Sequence, residues 1–256
     1  MANPPIDVSG KVALVTGGNG GIGLGMAQAL ADASAGVCIW GRNEEKNAVA
    51  AEQLKAAGGD VLALVCDVAN EEHVEEAFQA TLDHFGKVDG CFANAGIGGG
   101  GAPFHEMTTE SWRRVLGVNL DGTFFTYRAA VRHMIDRGEG GRLVATSSVS
   151  AVDGAPRSQH YASSKGGLNA MTRGLAVELA RHNITANTIL PGWIETAMTE
   201  NSFADERFEA NVLKRVPFRR WGQPTDFGGI AVYLMSDASA YHTGDEFIID
   251  GGYTKF

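Results

Sequence analysis

Tyr161 and Lys165 lie four residues apart in a segment that reads as helix, so they share one face, separated by about 6 Å of rise. A tyrosine acting as general acid/base near neutrality must release a proton whose ordinary pKa is about 10. Lowering that value by about three units requires roughly 4 kcal/mol of preference for the phenolate. One cation at about 4 Å, under an effective dielectric of about 20, supplies roughly that much, and Lys165 is such a cation. Alone, a Tyr-x-x-x-Lys spacing is as compatible with a decorated helix surface as with chemistry. Ser148, thirteen residues before Tyr161 at the end of a strand, adds a hydroxyl able to polarise a carbonyl. Asn119 adds a polar interruption, Val118-Asn119-Leu120-Asp121, in a long helix, where the bland reading is a hydrogen bond that bends it.

Positioning these groups falls to a chain that alternates strand and helix. Apolar strands read at 11–16 (KVALVT), 36–41 (GVCIWG), 61–66 (VLALVC), 88–94 (VDGCFAN), 141–148 (GRLVATSS), 184–190 and 246–250 (EFIID). Helices read at 22–33, 44–57, 71–85, 111–137 and 162–182. Near-continuous apolar strands alternating with helices predict an α/β fold: a doubly wound, seven-stranded parallel sheet with helices on both faces. No linker or low-complexity tract divides residues 1–256, so one domain is expected. The stretch 194–223 is charged, aromatic and less regular, and reads as a lid-like insertion between strand and helix.

The first strand runs into Thr16-Gly17-Gly18-Asn19-Gly20-Gly21-Ile22-Gly23, followed by a helix. A glycine-rich turn at that place lets the chain bend sharply and brings backbone N–H groups up to a pyrophosphate. The dinucleotide fingerprint G-x-G-x-x-G can be laid on Gly18, Gly20 and Gly23, although five glycines in seven positions satisfy many templates. A merely tight turn is the alternative; a P-loop is not, for want of Gly-Lys-Ser/Thr. The tip of the second strand reads Trp40-Gly41-Arg42-Asn43, with no acid there to take a ribose 2′-hydroxyl. Arg42 suits a 2′-phosphate, unless it is a solvated loop charge. Asn43 followed by Glu44 and Glu45 makes a good helix start, which gives those acids another task. NADP(H) is therefore favoured over NAD(H).

Composition excludes several classes. A formal charge of −9 argues against a nucleic-acid groove or an anionic membrane as the main partner. No apolar run approaches the roughly 18 residues of a membrane span. The opening residues lack a secretory pattern, so a cytoplasmic location is expected. Cys38, Cys66 and Cys91 lie in apolar runs with no Cys-x-x-Cys spacing, which predicts small buried hydrophobes and neither disulfide nor zinc. The histidines show no metal-ligand spacing, and no metal is expected. Glycine is in surplus, with 34 among 256 residues against roughly 7% in an average chain.

With these residues in view, the sequence resembles the short-chain dehydrogenase/reductase family in its single-domain form, over nearly the whole chain. The family's T-G-x-x-x-G-x-G stands as Thr16, Gly17, Gly21 and Gly23, its N-A-G as Asn94-Ala95-Gly96, its P-G as Pro191-Gly192 and its D-G-G as Asp250-Gly251-Gly252. The resemblance implies a Rossmann-type fold and a catalytic set of Asn119, Ser148, Tyr161 and Lys165. It implies cofactor contacts from Gly17, Asn19, Gly21, Ile22 and Gly23 in the loop, and from Arg42 and Asn43 after the second strand. Asp67 and Val68 are expected at the adenine and Asn94 and Gly96 along the cleft. Tyr161, Lys165, Pro191, Gly192, Ile194 and Thr196 are expected at the nicotinamide end. Asn19 is a departure, because many NADP(H)-preferring members carry a base at that place.

What the resemblance implies is hydride exchange between nicotinamide and a carbonyl or alcohol carbon, with Tyr161 as proton donor, Ser148 on the same oxygen and Lys165 on the ribose and the tyrosine. Asn119 would hold a proton-relaying water. The substrate wall is expected from 150–154, 98–105 and 193–208, with Trp193, Phe203 and Phe208 as an apolar lid and His105, Asp153 and Glu195 as hydroxyl partners. His160 reads as site lining. A small hydroxylated or cyclic ketone or alcohol is favoured. The alternatives are a 3-oxoacyl-thioester reductase and a non-catalytic NADP(H)-sensing regulator on the same fold. A homotetramer built on the long helices, or a dimer, is expected with no nucleic-acid or membrane partner. The four glycines 98–101 fit no cofactor motif.

Overall fold

A computed structural model describes residues 6–200 and 204–255. All seven strands are parallel and lie in the order β3-β2-β1-β4-β5-β6-β7. They are β1 (Val12–Thr16), β2 (Gly36–Gly41), β3 (Val61–Val65), β4 (Gly90–Ala93), β5 (Gly141–Thr146), β6 (Ile184–Pro191) and β7 (Glu246–Ile249). Because successive side chains of a strand point to opposite faces, Ala13 and Val15 of β1 join one core cluster and Leu14 joins the other. The first core packs Met26 and Leu30 of α1 (Gly21–Asp32) and Leu54 of α2 (Glu44–Lys55) against the sheet. The second packs Phe78 of α3 (Glu71–Phe85) and Leu179 of α6 (Gln159–Leu179) on the opposite face. Burial on both faces is why the strands read as continuous apolar runs.

Strand order reverses between β1 and β4. Thr16 stands opposite Trp40 on one side and Ala93 on the other. Crossovers leave in opposite directions from this point, and their divergence opens a crevice beyond the carboxyl ends of the strands.

Two expectations need correction. The expected single helix over 111–137 is two helices, α4 (Thr109–Leu116) and α5 (Gly122–Arg137), joined by a π turn at Gly117–Asp121. The turn surrounds Asn119, whose side chain is drawn out of the helix to the backbone of Ile97. The irregular insertion 194–223 contains a regular helix, α7 (Glu206–Arg215), capped by Asp205, whose side chain accepts from the N–H groups of Arg207 and Phe208. A further helix, α8 (Gly228–Met235), follows it. Among the described residues, no helix is long and apolar enough to cross a membrane.

Candidate active site

The glycine loop is built by packing. A Cβ at position 23 would lie 2.3 Å from the carbonyl oxygen of Gly17 and 2.4 Å from Nδ2 of Asn94, so α1 meets the loop backbone only if residue 23 is glycine. Asn94 stitches the surroundings together. Its N–H donates to Thr16 Oγ1 at 3.0 Å, its Nδ2 donates to the Thr16 carbonyl at 3.1 Å, and its Oδ1 accepts from Thr146 Oγ1 at 3.1 Å. The loop is thereby tied to β4 and β5 as well as β1.

At the start of α1, Gly20 is the N-cap residue, no side chain caps the helix and no acid stands in its first turn. Its first N–H groups therefore face the cleft without an internal anion, which is the arrangement a pyrophosphate needs. The helix α2 is closed differently. Asn43 Oδ1 accepts from the Lys46 N–H at 2.8 Å, with Glu44 and Glu45 at the positive end of the dipole. The three residues serve α2, as the sequence suggests.

The cleft has two connected parts. The first, about 130 Å³, is bordered by Gly17, Asn19, Arg42, Asp67, Val68 and Gly96. The second, about 350 Å³, is bordered by Gly21, Ile22, Asn94, Ser148, Tyr161, Lys165, Pro191, Gly192, Ile194 and Thr196. Gly17, Asn19 and Gly96 border both. The chain thus brings together most of the residues singled out from sequence, and the donor set and the glycine-lined cradle fit a dinucleotide.

Three of those residues do not border the cleft. Gly23 lies beneath the loop, Asn43 is engaged as a helix cap, and Asn119 sits behind the wall. Asn19 does border it, but its Nδ2 donates to Asn47 Oδ1 at 2.6 Å. Asn47 in turn donates to the carbonyls of Gly41 and Leu64. Asn19 therefore fastens the glycine loop to the tip of β2. Lys46, which sequence reasoning missed, borders the second cavity beside the loop. Its signal was position: it stands four residues after Arg42, in the first turn of α2.

Around the reacting groups, Lys165 is buried and its Nζ donates to the Thr146 carbonyl at 2.7 Å. Burial pulls its pKa down to about 8 from 10.5. Burial pushes the Tyr161 hydroxyl above its ordinary 10.0, an effect partly offset by a hydrogen bond with Ser148. The Lys165 Nζ lies 5.6 Å from the centre of the Tyr161 ring. Ser148 Oγ also accepts from the Ser150 N–H at 3.1 Å, which orients it at the end of β5.

Asn119 is fully buried. Its Oδ1 accepts from the Ile97 N–H at 2.8 Å, and its Nδ2 donates to the Ile97 carbonyl and to Ser164 Oγ, both at 3.1 Å. The proposed lid aromatics are partly joined: Trp193 stacks edge-on with Phe208 at 5.1 Å and with Trp221 at 5.6 Å. Trp221 was missed, and Phe203 lies outside the described residues. Of the suggested hydroxyl partners, His105 pairs with its neighbour Glu106 at 3.4 Å, Glu195 is exposed, and Asp153 borders a separate shallow depression with Gln159. None of these three borders the cleft. The cysteines are buried and free, with Cys38 and Cys66 pushed up to about 12 and Cys91 also raised, all chiefly by burial.

The family model described as enoyl-(acyl carrier protein) reductase matches residues 17–254. A 3-oxoacyl-(acyl-carrier-protein) reductase of Chlamydia pneumoniae is 36% identical over 249 residues, covering 97% of this chain and 99% of that protein. Among solved structures, a short-chain type dehydrogenase/reductase from Mycobacterium marinum superposes with a TM-score of 0.93 at 36% identity, covering 97% of each chain. A gluconate 5-dehydrogenase from Burkholderia cenocepacia, in complex with NADP and tartrate, gives a TM-score of 0.94 at 36% identity, covering 100% of each chain.

Proposed function

This chain belongs to the short-chain dehydrogenase/reductase family and is an NAD(P)(H)-dependent oxidoreductase of alcohol and carbonyl groups, and we propose that it interconverts a small hydroxylated secondary alcohol and its ketone with NADP(H), using Tyr161 as general acid/base. The observation that carries this reading is the meeting of Tyr161, Ser148 and Lys165 in the cavity that the glycine loop also borders.

Gly17, Asn19, Gly21 and Ile22 would hold the pyrophosphate, Asp67 and Val68 the adenine, and Arg42 with Lys46 a 2′-phosphate. Asn94, Gly96, Pro191, Gly192, Ile194 and Thr196 would frame the nicotinamide half. Gly23 and Asn43 act indirectly, by packing and by capping. When bound, the nicotinamide supplies or receives the hydride. In reduction, the Tyr161 hydroxyl gives its proton to the substrate oxygen as negative charge develops there, and Ser148 Oγ donates a hydrogen bond to the same atom. A phenol held protonated by burial is ready for that role. Lys165, with one N–H engaged by Thr146, keeps others for ribose hydroxyls. Asn119 holds the Ile97 backbone in place beside this set and, on the family reading, a water that relays protons to Lys165.

NADP(H) is preferred over NAD(H) on two grounds: Arg42 stands at the tip of β2, and no acid occupies that tip. The gluconate 5-dehydrogenase likeness supports a hydroxylated substrate. Residues 1–256 are read as one domain with 194–223 over the site, acting in the cytoplasm. A homotetramer is favoured by exposed Phe124 and Ile135 on α5 and Val177 on α6, apolar side chains on the two long helices.

The test is oxidation of NADPH, and separately NADH, followed by nicotinamide absorbance across 5-keto-D-gluconate, a cyclic diketone and a 3-oxoacyl thioester. Turnover of the first or second with NADPH is expected. Preference for the thioester would replace the substrate reading, and tight NADPH binding without any turnover would replace the enzyme with a sensor.

A further inference from the structure

The glycine run after β4 is held at two points, and both tethers converge on the peptide groups of Tyr161. At the first, Asn119 grips both the N–H and the carbonyl of Ile97. Asn119 also donates to Ser164 Oγ, which donates to the Tyr161 carbonyl at 2.7 Å. At the second, His160 Nε2 lies 2.7 Å from the Gly99 carbonyl oxygen, and His160 Nδ1 accepts from the Tyr161 N–H at 3.0 Å. Because Nδ1 is an acceptor, Nε2 carries the ring proton and donates to Gly99.

The histidine also solves a local problem of helix α6. Tyr161 is its third residue, so its N–H has no partner within the helix, and the N-cap residue Ser158 makes no side-chain cap. The buried imidazole supplies the missing acceptor on one side and reaches the wall with the other.

Close approach is the second half of the arrangement. A Cβ at position 99 would lie 1.8 Å from His160 Cε1, whereas the backbone at Gly99 is not in the left-handed region. Glycine is therefore required there for space and not for conformation. On the other side, a Cβ at Gly98 would stand 3.7 Å from Cγ of Met198, which borders the cleft together with Tyr161. The run thus lies between the start of α6 and Met198, which lines the cleft.

We propose that His160 is a positioning residue that clasps the 98–101 run against the start of α6, fixing one wall of the substrate site relative to the Tyr161 hydroxyl, and that Gly99 is the complementary half of the clasp. The inference rests on the reading of Tyr161 as acid/base. Four consecutive glycines have more backbone freedom to lose than any other sequence. Left untethered, they would be ordered only when substrate arrives, and substrate affinity would fall by the cost of that ordering. With the clasp, the wall stands ready.

The experiment compares the full chain with His160→Ala, Gly99→Ala, the double variant and His160→Gln. Amide hydrogen exchange over 97–101, NADPH affinity by fluorescence, and KM and kcat for the ketone turned over fastest among 5-keto-D-gluconate and the cyclic diketone are measured. His160→Ala is expected to speed exchange and raise KM by about tenfold, with NADPH affinity within about twofold and kcat less affected. Gly99→Ala is expected to cost about as much in the parent but less than about twofold in the His160→Ala background, where the space is vacant. His160→Gln, which keeps a donor and an acceptor, is expected to recover part of the loss. Equal effects of Gly99→Ala in both backgrounds, or KM and NADPH affinity weakening together, would overturn the clasp. If neither ketone is turned over, the functional reading fails separately. Hydrogen exchange and unfolding midpoints then decide the clasp through the same non-additivity.

Discussion

Lys165 Nζ lies 5.6 Å from the centre of the Tyr161 ring and gives one N–H to the Thr146 carbonyl at 2.7 Å, so the lysine is anchored to β5 and not to the phenol. The tyrosine, pushed up by burial, stands protonated beside it. This fixes the sign of a pH experiment. With NADPH saturating, reduction requires the protonated phenol, so kcat/KM is expected to stay level through neutral pH and fall only on the alkaline side. Oxidation requires the phenolate and is expected to rise with pH over the same range. A reductive rate that climbs steadily with pH would exclude Tyr161 as the proton donor.

Removing the phenol hydroxyl tests the same group directly. Tyr161→Phe is expected to lower kcat by about 10²–10⁴, the usual contribution of a positioned acid. NADPH affinity should change little, because most of the residues proposed to contact the cofactor lie elsewhere along the cleft. The pair of measurements is steady-state turnover and fluorescence titration.

Burial of Lys165 makes stability depend on pH. Below pH 8 the folded and unfolded chains both carry the charge, so the cost of burying it is present in full. Between about pH 8 and 10.5 the unfolded chain holds a proton that the folded one has released, and stability rises with pH; above that range the cost is gone. Urea unfolding of the parent and Lys165→Met should therefore show the difference moving in the parent's favour by about 2 to 3 kcal/mol between pH 7 and pH 10. A difference independent of pH would contradict the assignment.

Arg42 and Lys46 give the cofactor prediction. Arg42→Ala and Lys46→Ala are each expected to weaken NADPH by roughly tenfold, the scale of an exposed charge-assisted contact, and NADH by far less. Equal loss for both nucleotides in isothermal titration would show that neither side chain reads the 2′-phosphate.

The glycine loop offers a contrast between neighbours. Gly23→Ala would force a Cβ to within 2.3 Å of the Gly17 carbonyl oxygen, backbone against backbone, and is expected to destabilise by at least about 1–3 kcal/mol while abolishing NADPH binding. Gly20 has open space around it and extended backbone at φ −179°, so Gly20→Ala should fold normally. Thermal unfolding of the two variants measures the difference.

Much of this was legible in the sequence because single elements carried it. The strand-glycine loop-helix unit, the cap at Asn43 and the bounds of α3 at Glu71 and Phe85 follow from local chemistry. What escaped depended on tertiary contact. The helix α8 begins with Gly228 and Gly229 and is only eight residues long, with β-branched Ile230 and Val232 in it, so its local helix signal is weak. Its first glycine is there because α1 packs so near that a Cβ would lie 2.7 Å from that of Ala29. The helix α7 buries Val212 alone among its ten residues, so its period was faint. The hold of Asn119 at the π turn on Ile97, the partnership of Asn19 with Asn47 and the link from His160 to Gly99 all join residues distant in sequence. No local pattern announces such pairs.

The run 98–101 divides into positions with different tolerances. Gly99 is closed by the imidazole, and Gly100, at φ +78°, is closed by its backbone. Position 98 meets only an ordinary contact with Met198, and position 101 meets nothing within 4 Å. Side chains introduced at 98 and 101 would therefore project from a wall whose tethers remain intact. If the run forms the proposed wall, these are the two positions at which substitution retunes substrate scope without disturbing either tether.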